Sequence, residues 1–384
     1  MRILLISARY LPHRGGLESV VYNLAREFRQ QGHTVQIVTN RYPRILPARQ
    51  DIDGVQVTRL YFLLPDIKYL RNSRFDLWLA GLWYRFYTVQ TLRRMINEFQ
   101  PDIINSHYLN EVVEFTILSL ANRSPAIPWV ISLHGGDVDG EPFLNRINKE
   151  RFSRLSQQAN GLTACSNFLA IQTQTLEPIL QGKVEVIHNG VDVSRFTDAK
   201  PYPADFPYIL AVGQLAVHKG FDLLIEAFAQ VAGKYPQVQL WIAGDGIQHA
   251  TLEALIHQKN LIERIRLLGK VDEVTVASLM AACSFIVVPS RREPFGIVAL
   301  EGMAAGKPVM ASSVGGLPEF LSVPPNRLIA PQVAAWAAGL DEWMSLAESG
   351  QLQADGNAHE ALKRDWSNVA SQYLKMYEQV IHHD

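Results

Sequence analysis

Between Ser284 and Pro308 the sequence admits few readings. Ser284, Phe285, Ile286, Val287 and Val288 form a short, mostly apolar run, as a strand buried on both faces does. Pro289 and Ser290 end it. Glu293 falls in a loop, because Pro294 disfavours helix at the residue before it. Phe295 and Gly296 turn the corner. Ile297, Val298, Ala299, Leu300, Glu301, Met303, Ala304 and Ala305 then read as a helix with an apolar face, closed by Gly306 and Pro308. Strand, tight turn, helix is how an open α/β sheet presents a ligand site at the carboxyl end of a strand.

Two carboxylates flank this turn. Glu293 precedes the helix, and Glu301 lies about two turns in, on the face of Ile297. Free amides near Gly296 make a natural anion site. The combination suits a ligand with phosphate for the amides and hydroxyls for the carboxylates. The plainer alternative is a capping acid and a solvated helix acid. Against it, Glu301 sits among apolar residues, where an unpaired charge is costly.

The same alternation runs through the chain. Ile3–Ser7 reads as a strand, then a loop with Gly15 and Gly16, then a helix through Val20, Val21, Leu24, Ala25 and Phe28, then the strand Val35–Thr39. Asp102–Asn105, Trp129–Leu133, Gly161–Cys165 and Val184–Ile187 read as further strands. Residues 193–207 are Pro-rich and irregular, as a linker is. The second half restarts with the strand Tyr208–Val212, a loop GQLAVHKG, the helix Phe221–Val231 and the strand Val238–Ala243. Arg266–Leu268 and Val309–Ser312 are further strands, and Val274–Ala282 a helix. A length of 384 residues exceeds one typical core. The prediction is α/β, with two Rossmann-like domains built on parallel sheets. Residues 1–195 form the first, joined by an amphipathic C-terminal helix within 366–384, and residues 205–365 form the second.

Charge excludes some functions. The net charge of −1 argues against a nucleic-acid binder. Residues 1–190 carry 21 Lys/Arg against 16 Asp/Glu, so the first half is net basic and suits an anionic or membrane-surface acceptor. Tyr69, Phe75, Trp78, Leu79, Leu82, Trp83, Phe86 and Tyr87 mix with Arg71, Arg74, Arg85, Arg93 and Arg94. Aromatics beside arginines mark an interfacial membrane helix or a lipid-acceptor groove. Helical spacing favours the alternative, a buried helix with a solvated basic face. Two cysteines, Cys165 and Cys283, show no metal or disulfide spacing, which points to a reduced compartment. The N-terminal apolar run is too short for a signal peptide and no stretch is long enough to span a bilayer, so the protein is expected to stay in the cytoplasm unless it adheres to the inner face of the plasma membrane.

Other candidates lie at predicted sheet edges. The strand Asp102–Asn105 runs into Ser106-His107-Tyr108, and Trp129–Leu133 into His134-Gly135-Gly136-Asp137. One His and one Asp are too few to hold a metal, and none is assigned. Lys219, in the loop before Phe221–Val231, is placed to neutralise a diphosphate. A surface lysine is the alternative.

EPFGIVALE at Glu293–Glu301, VGGLPE at Val314–Glu319, the spacing VG-x-L-x-x-x-KG-x-D from Val212, and P-x-x-GG-x-E from Pro12 together resemble the retaining, nucleotide-sugar-dependent glycosyltransferases of family 4. The resemblance implies the GT-B fold, with the active site in a cleft between two domains. It implies sugar transfer with retention, by front-face attack in which the leaving phosphate helps deprotonate the acceptor. Glu301 would bind ribose hydroxyls and Glu293 the donor sugar. Lys219 and amides near Gly296 and Gly316 would stabilise the departing diphosphate, and His134 would touch the sugar. The donor set extends to Gly16, Gly213, Arg292, Phe295 and Ile297; Gly15, Gly16, His107 and Asp137 fall on the acceptor side. No cofactor is implied beyond the nucleotide-sugar, and the acceptor is a glycan, a lipid-linked glycan or a small hydroxyl compound. Gln214 departs from the pattern, since relatives usually have arginine there; Arg291 and Arg292 are placed to compensate. The alternatives are a nucleotide-sugar 2-epimerase and a catalytically silent binding protein. A nicotinamide dehydrogenase fits poorly, because the first loop lacks G-x-G-x-x-G with an acid after the second strand.

Overall fold

The computed structural model describes residues 1–13, 15–64, 74–109, 111–136, 138 and 146–382, without the side chains of 146–149 and 151. The chain divides into two units, Met1–His188 with Trp366–Asp384, and Asn189–Asp365. Residues 189–195, grouped with the first domain in the sequence reading, lie in the second unit.

The first unit is built on an eight-stranded sheet. Its strands are β1 (Arg2–Ser7), β2 (Thr34–Asn40), β3 (Arg49–Ile52), β4 (Val55–Leu60), β5 (Ile103–His107), β6 (Trp129–Leu133), β7 (Gly161–Ala164) and β8 (Val184–Val186). Their order is β3-β4-β2-β1-β5-β6-β7-β8. All neighbours pair parallel except β3 and β4. The central strands β5 and β6 are buried along their whole length, which is why they read as continuous runs rather than alternating ones. The Gly16–Gln30 helix buries Val20, Val21, Leu24, Ala25 and Phe28, the 3.6-period stripe of its sequence.

The β3–β4 hairpin lies in a stretch for which the sequence reading assigned no strand. Its turn is Asp53-Gly54, both with positive φ, and Asp51 Oδ1 accepts the Gly54 amide at 2.7 Å. Asp-Gly is the residue pair that a two-residue hairpin turn favours. His107 also differs from expectation, closing β5 rather than following it.

The second unit carries a six-stranded parallel sheet, ordered β11-β10-β9-β12-β13-β14. These strands are β9 (Tyr208–Val212), β10 (Gln239–Ala243), β11 (Ile265–Gly269), β12 (Phe285–Val288), β13 (Val309–Ser312) and β14 (Arg327–Ile329). A short helix, Val193–Thr197, occupies the start of the expected linker, and Arg195 pairs with Glu273 at 2.9 Å. The central position of β9 and β12 brings their carboxyl-end loops side by side, which matters for the site.

The Trp366–His382 helix returns to the first unit, with Tyr377 against Phe28 at 5.8 Å between ring centroids. There it reaches a buried polar row. Asn105 Nδ2 donates to Tyr377 Oη at 2.6 Å, Ser132 Oγ donates to Asn105 Oδ1 at 3.0 Å, and Thr163 Oγ1 donates to Ser132 Oγ at 2.9 Å. A buried donor that loses its acceptor costs about 1–3 kcal/mol. Tyr377→Phe removes only the hydroxyl, so chemical denaturation should report a loss of about that size; an unchanged midpoint would show that the row does not hold the returning helix.

Candidate functional site

The best-formed cluster of polar groups in the second unit centres on Glu293. It leaves β12 through Pro289 and Ser290 and lies just before the Ile297–Ala304 helix. Its Oε2 accepts Lys219 Nζ at 2.6 Å and Ser290 Oγ at 3.0 Å. Lys219 comes from the loop after β9, so the pair ties two adjacent sheet-edge loops. A third loop joins from β13, where the Gly316 amide donates to the Glu293 carbonyl at 3.0 Å. Gly315 makes that approach feasible. Its φ is +59°, and a Cβ there would lie 1.8 Å from the Glu293 carbonyl oxygen.

Beside this cluster begins the Ile297–Ala304 helix. Gly296 precedes it with φ 103° and ψ 56°, a left-handed conformation open mainly to glycine. Among the described residues the amides of Gly296, Ile297 and Val298 find no backbone acceptor, as the first turn of a helix dictates. They add partial positive charge next to Lys219. The Gly316 amide, expected near a diphosphate, is already bonded to Glu293. The Phe295 side chain is buried and stacks on Phe320 at 4.9 Å, so only its backbone is placed for a ligand.

Arg291 does not fill the place left by Gln214. Its guanidinium forms a two-pronged pair with Asp222, at 2.7 and 2.8 Å, and also donates to the Val217 carbonyl at 2.9 Å. Its charge is therefore committed to bracing the Lys219 loop, whose His218 carbonyl further accepts the Arg291 and Arg292 amides at 2.8 and 3.3 Å. Arg292 is exposed, as is Gln214. Gly213 ends β9, and its carbonyl lies where a Cβ on Gly244 would stand, at 1.8 Å. Sequence reasoning missed Ser290 and Asp222. Asp222 was present in the KG-x-D spacing, but no local signal links it to Arg291.

Glu301 lies further along the helix. Burial pushes its carboxyl up to about 7, with Arg195 pulling it down and Glu273 pushing it up. The group is therefore only partly ionised near neutrality.

In the first unit, Gly15 caps the Gly16–Gln30 helix in an extended conformation that does not itself require glycine. His107 Nδ1 and His134 Nε2 lie 3.1 Å apart, with their rings stacked at 5.4 Å. Burial lowers His134 to about 4, and burial followed by the neighbouring His134 holds His107 well below its ordinary value. Both rings are neutral at pH 7, so a single N–H joins them. Asp137 lies outside the described residues.

Known families account for this arrangement. The family described as Glycosyltransferase Family 4 matches residues 14–195, and Glycosyl transferases group 1 matches residues 194–357. The chain belongs to the group 1, family 4 glycosyltransferases. One component of the human phosphatidylinositol N-acetylglucosaminyltransferase is 27% identical over 383 residues, 98% of this chain and 76% of the human one. Sucrose-phosphate synthase from Thermosynechococcus elongatus superposes with a TM-score of 0.79 at 22% identity, covering 100% of both chains. Anabaena HepE, solved with UDP and glucose, superposes with a TM-score of 0.76 at 20% identity, covering 99% of this glycosyltransferase and 100% of that chain. The fold is GT-B, with two Rossmann-like domains.

The Glu301 shift has a testable sign. Its folded value of about 7 lies above the ordinary 4.5, so the folded state holds the proton more tightly. Stability from this group is complete below the ordinary value and is lost as pH rises through about 7. Glu301→Gln should therefore gain stability over the wild type between acidic pH and pH about 8, by at most about 3 kcal/mol. Melting curves across that range check it; parallel pH profiles would contradict the shift.

Proposed function

We propose that this glycosyltransferase moves a sugar from a nucleotide-diphosphate sugar to a hydroxyl acceptor with retention at the anomeric carbon. The observation that carries the reading is the Lys219–Glu293 pair, at 2.6 Å, beside the open amides of Gly296, Ile297 and Val298. It puts a cation, a row of N–H donors and a carboxylate on one sheet edge, where a sugar diphosphate needs all three.

Lys219 and the helix amides take the diphosphate. Their charge is pre-organised, so it stabilises the negative charge that develops as the glycosidic bond breaks, and no metal is required. The Glu293 carboxylate accepts hydroxyls of the donor sugar, and when the donor is absent it holds Lys219 in place. Glu301 accepts the ribose hydroxyls. The acceptor is a glycan, a glycolipid or a small hydroxyl compound of envelope or polysaccharide synthesis. The enzyme works in the cytoplasm at the inner membrane face.

One observation favours a second reading. With Gln214 exposed and Arg291 committed to Asp222, the diphosphate meets fewer cations than in relatives that carry arginine at this position. A chain that binds donor without turnover, as a silent binding protein, fits that deficit.

Calorimetric titration with UDP, GDP and ADP and their sugar conjugates tests the reading. One nucleotide should bind selectively, with weakened affinity in Glu301→Ala. Lys219→Ala should lower turnover by about 10²–10³-fold, the usual effect of removing one donor aimed at developing charge. Turnover should persist in chelator. Binding without turnover on any acceptor would favour the silent binding protein, product without an acceptor would favour epimerase chemistry, and no nucleotide binding would defeat the proposal.

A further inference from the structure

The Phe75–Phe99 helix turns an apolar face to water. Its packed side is Thr88, Val89, Leu92, Met95 and Ile96. On the other side Phe75, Leu79, Leu82 and Phe86 recur at four- and three-residue intervals, with Trp83 and Tyr87 alongside. Helical spacing had favoured burial for this stripe, and between Phe75 and Tyr87 the structure reverses that expectation; Tyr69 and Arg71 lie outside the described residues. Phe86 is 67% exposed, and Phe75 and Trp83 are each 60% exposed.

The stripe continues into a neighbouring loop. Trp83 stacks on Tyr87 at 5.4 Å and meets Tyr84 edge-on at 5.0 Å. Tyr84 packs on Tyr61 at 5.1 Å, and Arg41 lies over the Tyr61 ring at 5.8 Å. Arg41 opens the loop that carries Tyr42 and Ile45, which are 67% and 89% exposed. This loop is braced against the segment before Gly15. His13 stacks on Tyr42 at 6.0 Å, and Arg59, itself buried, donates to the Leu11 carbonyl at 2.9 Å.

Charge falls in the same place. Residues 41–94 hold ten Lys/Arg and four Asp/Glu, whereas the rest of residues 1–190 hold 11 and 12. The basic excess of the first half thus belongs to the segment that bears the exposed rings. Among them, Arg85 and Arg94 are exposed on the helix itself.

We infer that this surface docks on an anionic phospholipid bilayer. Aromatic rings suit the headgroup boundary, with an apolar body and, in Trp and Tyr, a polar edge. Arginines reach lipid phosphates while their stems stay against the apolar layer. Among the described residues no helix is long and apolar enough to cross a membrane, so the Phe75–Phe99 helix lies on the surface. A second copy of the chain is the poorer occupant, because a two-fold contact would bring the same net-basic surface of both copies together. The inference sharpens the membrane-face part of the reading above. It also gives that face a purpose, since the docked loop abuts the segment before Gly15 that was assigned to the acceptor side.

Co-sedimentation of the full chain with vesicles tests it, in the absence of any donor. Vesicles of phosphatidylcholine with a minority of phosphatidylglycerol should bind, and phosphatidylcholine alone should bind at least about tenfold more weakly. Raising salt from about 0.1 M to about 0.5 M should release the protein in part. Trp83→Ala with Phe86→Ala should weaken partitioning at least about tenfold while melting like the wild type, because both side chains are exposed. Should that variant melt early, Arg85→Glu with Arg94→Glu decides, by losing the preference for anionic lipid. Failure of the wild type to bind anionic vesicles, or variants that bind as it does, would overturn the inference. So would a dimer in sedimentation velocity that dissociates in the Trp83/Phe86 variant without any vesicle binding. Nucleotide titration is a separate readout, so a failed donor reading and a failed docking reading are told apart.

Discussion

The contact between Lys219 and Glu293 organises the second unit's sheet edge. A cation and an anion that are largely removed from water are costly apart and tolerable together. Their pairing at 2.6 Å therefore fixes the loop after β9 against the loop after β12. The Gly316 amide on the Glu293 carbonyl then draws in the loop after β13. Arg291 and Asp222 brace the same junction from outside. The result is a rigid seat assembled from three loops, with the start of the Ile297–Ala304 helix beside it. A parallel sheet makes this arrangement natural, because all its carboxyl-end loops emerge on one edge.

Glu293 and Lys219 each read as candidate ligand-binding groups, one from the loop before Pro294 and one from a glycine-bounded loop. Their mutual contact was not legible, because they stand 74 residues apart and nothing local in either segment refers to the other. The same holds for Arg291 and Asp222, 69 residues apart. Arg291 looked like spare charge and is in fact structural. The Phe295 side chain packs against Phe320, which leaves its backbone to face a ligand. One dimension shows which residue types lie near a turn, but not which way each side chain leaves it.

Buried strands were the most legible elements. Trp129–Leu133, Tyr208–Val212 and Val309–Ser312 have the bounds their apolar runs suggest, because both faces are covered and nothing competes with that signal. The hairpin of β3 and β4 was the hardest. Strand β3 is largely exposed at the sheet edge, so no apolar alternation marks it, and only Asp53-Gly54 betrays the turn. The Phe75–Phe99 helix failed differently. Its period was plain, yet period alone shows that a stripe exists, not whether protein, lipid or water meets it. Only the packed side formed by Leu92, Met95 and Ile96 resolves which face is which.

The account stands or falls on where a nucleotide-sugar sits. Hydrogen–deuterium exchange, read peptide by peptide with and without saturating nucleotide-sugar, measures that directly. Protection should concentrate in residues 213–220, 290–301 and 313–317, where Lys219, the helix amides and the glycine turn converge. Protection confined to other segments, at a concentration where binding is complete, would place the donor elsewhere and contradict the role given to the Lys219–Glu293 seat.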